Sequence, residues 1–182
     1  MKKALHCLCI LTFLLIASFP SSTVYSEEKT FEFDYLSAML LYCMPPIVAK
    51  NDVAVAAEAK SLPEFPQDKA ILFDKSGGRV FKIPTTLGNG VLAAHKPGGC
   101  SLIAQQIDTP RFWALADRFF GPKSPFVLKD NKSETPNSQH REYRADFSGP
   151  TVLMISVHDK PVENGVQAVM TFSRLRQDNL TK

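Results

Sequence analysis

The residues with the most chemical promise lie in the run H-K-P-G-G-C-S, where His95 closely precedes Cys100. An imidazole within reach of a thiol can take its proton and turn it into a thiolate nucleophile. The spacing leaves two arrangements open: across a hairpin the two residues face each other, or they point to opposite sides of a sheet. The competing reading is a surface histidine beside a structural cystine. A metal centre would have to draw on His95, His140 and His158 with Asp108, Asp146 or Asp159, and these lack the short-spaced ligand pairs of zinc sites. Gly77-Gly78 and Gly88-Asn89-Gly90 precede no G-K-[ST] and open no helix, so they do not read as phosphate cradles. No G-x-S-x-G nucleophile elbow is present. No metal and no cofactor is expected.

Charge gives a second set of candidates. Lys129, Lys132, His140, Arg141 and Arg144 form the one local excess of positive charge, diluted by Glu134, Glu142 and Asp146. Such a cluster is ordinarily a solvated edge; as a site it would steer an acidic protein partner or an anionic envelope polymer. Trp113 and Phe120, at the margins of an aromatic helix, are the apolar candidates for the same partner. With a net charge of +3 over the whole chain there is no concentrated basic face, and nucleic acid is not an expected ligand.

The N-terminus reads as a Sec-type signal peptide. Lys2 and Lys3 precede an apolar block from Leu8 to Phe19, and a small, polar stretch from Pro20 to Ser26 follows. Cleavage is expected before Glu27, removing residues 1–26. The apolar block is shorter than the roughly 20 residues a spanning helix needs, and no later run approaches that length. Losing Lys2 and Lys3 would bring the charge from +3 to +1. Cys7 and Cys9 leave with the leader, so the expected mature chain, periplasmic or secreted, keeps Cys43 and Cys100. In an oxidising compartment that pair is most simply a disulfide.

These residues need elements to hold them. Leu36, Met39, Leu40 and Cys43 recur at the spacing of one helical face, with Asp34 as cap and Pro45-Pro46 as the stop. A second helix is expected from Asp52 to about Lys60. Residues 70–73 and 79–83 flank D-K-S-G-G, and 91–95 and 101–107 flank K-P-G-G, which predicts two β-hairpins. Thr109, Pro110 and the terminating Gly121-Pro122 frame an aromatic-rich helix with Phe112, Leu115, Ala116 and Phe119 on its buried stripe. Residues 129–139 are polar throughout and read as a long connection. Three strands over 143–147, 151–157 and 166–172 form a C-terminal antiparallel meander, its middle strand covered on both faces. The expected class is α+β, a single domain over 27–175 with one disulfide and a frayed polar tail at 176–182.

The leader, Cys43 in an early helix, the strand L-A-A-H and the returning G-G-C-S-L-I together resemble small exported bacterial proteins of the periplasm, of unknown function, over about Cys43 to Phe172. The resemblance implies a cystine-linked periplasmic domain and supplies no catalytic residues. The expected function is a non-catalytic, protein-binding module of the periplasm: an inhibitor or immunity-type protein, or an accessory subunit of an envelope assembly. The alternatives are an envelope enzyme using Cys100 and His95 or dispersed carboxylates, and a small-ligand carrier, which requires an apolar cavity.

Overall fold

Thr30 opens the first helix of the computed structural model, which describes residues 30–85, 89–96, 98–162 and 165–175. The expected leader and polar tail lie outside the described residues. The Thr30 hydroxyl accepts from the Phe33 N–H, so helix α1 (Phe31–Ala38) starts before Asp34, the expected cap. The helix also does not stop at Pro45-Pro46. It passes through a π-helical turn, Met39–Cys43, in which the Met44 N–H reaches back to the Met39 carbonyl, and continues as α2 (Met44–Val48). That turn lets Pro45 and Pro46 fall in the first turn of a new segment, where a missing N–H costs no hydrogen bond. Met39 and Cys43 are fully buried while Leu40 is turned outward. Asp52 accepts from the Ala54 and Val55 N–H groups and caps α3 (Val53–Ala59).

The strands form one antiparallel sheet: β1 (Arg79–Pro84), β2 (Asn89–His95), β3 (Gly99–Ala104), β4 (Val127–Thr135), β5 (Ser138–Asp146), β6 (Pro150–His158) and β7 (Ala168–Arg174), in the order β1-β2-β3-β7-β6-β5-β4. The chain is mostly β, which overturns the expected α+β arrangement of two hairpins and a separate three-stranded meander. Three local facts produce the change. Residues 70–73 are not a strand but the end of a one-turn helix, α4 (Gln67–Ala70), and the turn after it, so β1 pairs with β2 instead. Residues 129–139 are not a connection but most of a β4–β5 hairpin, whose polar side chains gave no apolar period to read. β7 pairs with β6 on one side and with β3 on the other, joining both halves of the chain into one sheet. β6 is an inner strand, with Thr151, Leu153, Ile155 and Val157 buried on one face and, on the other, Val152 buried and Met154 exposed.

One face of the sheet carries the main core. Leu92, Cys100, Leu102, Leu153, Met170 and Phe172 pack there under α1, α2, α3 and α5 (Thr109–Phe119). Burying a large apolar side chain of this kind contributes about 1.5–3 kcal/mol. The Tyr35 hydroxyl reaches through the layer to the Leu102 carbonyl at 2.6 Å and the Ala168 carbonyl at 3.2 Å, fixing α1 across the β3–β7 seam. The Cys43–Cys100 disulfide ties the π-helical turn to β3, with a Cα–Cα distance of 5.5 Å. On the opposite face a smaller cluster of Ala70, Val80, Val91, Ala93 and Ile103 packs with Phe65, Phe73, Val166 and Val169, so it runs from β1 to the start of β7. Farther across that face Met154 on β6 and Arg144 on β5 are exposed. Among the described residues, no helix is long and apolar enough to cross a membrane.

Candidate functional site

His95 and Cys100 part company at the sheet. Cys100 faces the helices and is spent in the disulfide, whereas its neighbour Ser101 lies on the other face with His95. The His95 Nε2 lies 2.7 Å from the Ser101 Oγ. The register explains the contact: His95 stands opposite Gly99, and Ala93 opposite Ser101, so the ring leans over the glycine to its diagonal neighbour. Gly99 has no side chain to obstruct it. From Ser101 the chain of contacts continues to Thr171 on β7, 2.8 Å between hydroxyl oxygens.

The other ring nitrogen, Nδ1, is 3.3 Å from Oδ2 of Asp74. D-K-S-G-G, read above as a hairpin turn, is the loop that carries this carboxylate. Asp74 follows α4, its N–H bonded to the Ala70 carbonyl, and its side chain accepts from the Ser76 N–H (2.8 Å), the Ser76 hydroxyl (2.6 Å) and the Gly78 N–H (2.9 Å). Gly78 is required: a Cβ there would collide with the Asp74 Oδ2 and the Ala94 carbonyl. Burial pushes the Asp74 carboxyl up, but the Ser76 donors and then His95 outweigh it, and its pKa ends below the ordinary value. In the tautomer whose Nδ1–H donates to an ionised Asp74, Nε2 accepts from the Ser101 hydroxyl and Ser101 in turn accepts from Thr171. The four residues form a hydrogen-bond chain with one direction, in the order hydroxyl, hydroxyl, imidazole, carboxylate.

His95 and Thr171 line a cleft of about 430 Å³ on the sheet face that carries Ser101. Val152, Met154 and Leu175 give it apolar surface, and Lys96, Arg144, Arg174 and Glu142 its charge. Arg144 donates from Nε to Glu142 at 2.8 Å. Arg174 is committed elsewhere, giving Nε, Nη1 and Nη2 to the carbonyls of Ile47, Ser148 and Val48.

The residues named as candidate partner contacts are scattered. Phe120 is buried among Phe119, Phe126 and Tyr143, with 1 % exposure. Trp113 is also buried, its ring covered by the Arg141 guanidinium at 4.2 Å. Arg141 pairs with Asp117 on the helix side of the sheet, while Arg144, three positions along β5, faces the other way. Lys129 is exposed, and Lys132 pairs with Asp130 on the same strand. Trp113 also lines a second cleft, of about 400 Å³, with Thr109, Asn131 and Gln139. Of the positive cluster, Arg144 alone reaches the His95 cleft, where Lys96 joins it. Asp74, Ser101 and Thr171 escaped the sequence reading. The available signal was the serine beside Cys100, on the alternate face of the predicted strand.

Among the described residues, no group of three His, Cys, Asp or Glu side chains comes together to hold a metal ion. The chain matches no protein-family model, no curated protein and no solved structure in the comparisons made.

Proposed function

We propose that the chain is an exported binding module of the cell envelope that receives an acidic group of a protein partner in the cleft beside His95. The observation that carries this reading is the charge of that cleft. Lys96 and Arg144 stand there with a single carboxylate, Glu142, over the apolar surface of Val152, Met154 and Leu175. Exposed cations around an apolar floor suit an acidic side chain or chain terminus flanked by apolar residues, with the cations guiding encounter. Export is supported by the leader-like N-terminus and by a disulfide that an oxidising compartment would preserve.

Cross-linking of the tagged full chain in envelope fractions tests this directly. A partner captured by the wild type is expected to be lost, at least tenfold, from the Lys96→Glu/Arg144→Glu double variant. An identical set of captured proteins for both would sink the proposal.

A further inference from the structure

We infer that Ser101 is a nucleophile toward carboxylic esters, with His95 as its base and Asp74 as the group that orients His95. This goes beyond binding and stands on a different observation: the connectivity of the hydrogen-bond chain. In acyl transfer the base must hold the nucleophile's proton on one ring nitrogen while a buried carboxylate fixes the other. Here Nε2 meets the Ser101 hydroxyl at 2.7 Å, and Nδ1 meets Asp74 at 3.3 Å. Three donors hold Asp74, two from Ser76 and one from Gly78, so it is fixed as an acceptor.

The reaction balances with water as co-reactant. The Ser101 oxygen attacks the ester carbon while its proton passes to His95 Nε2. The bond to the alcohol oxygen then breaks, and that oxygen leaves with the proton from Nε2. Water next attacks the acyl-serine and gives a proton to Nε2. The bond to Ser101 breaks, its oxygen regains the proton, and a carboxylic acid is released.

The position of Ser101 in the sheet dictates what must stabilise the oxyanion. β3 lies between β2 and β7, so its backbone donors are spent on ladder bonds. The donor therefore has to be a side chain, and the Thr171 hydroxyl, 2.8 Å from the Ser101 oxygen and lining the cleft, is the one in place. Ser101 is 5 % exposed, and the two side chains bonded to its hydroxyl both face the cleft. Attack requires Thr171 to turn from the serine oxygen to the substrate's. The apolar floor and the rim cations Lys96 and Arg144 suit a short acyl chain on an alcohol that carries negative charge.

The test uses the disulfide-bonded full chain, a fluorophosphonate and p-nitrophenyl acetate. Intact-protein and peptide mass spectrometry is expected to find one phosphonyl adduct, on Ser101, and none in Ser101→Ala. Acetate release is expected to fall about 10³-fold or more in Ser101→Ala and His95→Gln, and about 10²-fold in Thr171→Val, the effect of removing one oxyanion donor. The wild-type labelling does not depend on whether a variant folds. An unlabelled wild type, an adduct on another residue, or Ser101→Ala hydrolysing at the wild-type rate would each overturn the inference.

Discussion

Asp74 makes the energetics of the site measurable without any substrate. Its folded pKa lies below the ordinary carboxylate value, so its hydrogen bonds contribute stability in full above that value, about 3.9 in the unfolded chain. That contribution is lost as pH falls through the lower, folded pKa. Asp74→Asn is therefore expected to lose stability at neutral pH and to show a shallower acid dependence of the unfolding free energy than the wild type. Parallel profiles from urea titrations at pH 3 to 7 would count against the role given to Asp74. Little of this was legible beforehand. The Cys43–Cys100 pair was, because the expected loss of residues 1–26 would leave each thiol one possible partner. Ser101 and Thr171 stand 70 positions apart, and only a pairing between distant strands brings their hydroxyls together.

At the level of elements, the informative failures are those in which a reliable local rule met an uncommon context. Proline usually ends a helix, yet Pro45-Pro46 sit inside a continuous helical path because the π-helical turn before them restarts the hydrogen-bond ladder. The β4–β5 hairpin was invisible for a different reason. Its outer part is solvated on both faces, and hydroxyls and amides hold it: Ser133 to Thr135 and Ser138, and Gln139 to Asn131. Apolar alternation reports a buried face, and this segment has none. Helix α1, by contrast, is anchored by one phenol. Tyr35→Phe is expected to cost about 1–2 kcal/mol, because the Leu102 and Ala168 carbonyls stay buried without that donor. Urea unfolding with an unchanged far-ultraviolet spectrum checks it; an unaltered midpoint would show that the hydroxyl does not anchor the helix.

For the whole molecule, the sheet is closed by one long-range pairing and braced by one covalent link. The disulfide encloses a loop of 57 residues, and a crosslink of that span contributes about 4 kcal/mol through the entropy of the unfolded chain. A Cys43→Ala/Cys100→Ala variant is expected to lose stability on that order in urea while keeping its β-rich spectrum. Free thiols mapped to Cys43 and Cys100 by peptide mass spectrometry of the native, non-reduced protein would contradict the bond itself.

The β3–β7 seam has a consequence for how the chain comes together when it emerges N-terminus first. Everything on the β1–β2–β3 side of the sheet, with Cys43 and Cys100, is already present before β7 has appeared. β3 must therefore wait with an unpaired edge, while the disulfide, whose two sulfurs belong to the early part of the chain, can form at once. A bond formed at that stage would hold β3 against the first helices while its open edge could still pair with another chain. Docking of β7 then completes the sheet, and the same event delivers Thr171 to Ser101. The hydrogen-bond chain at the cleft is assembled last, and only in molecules whose sheet has closed correctly.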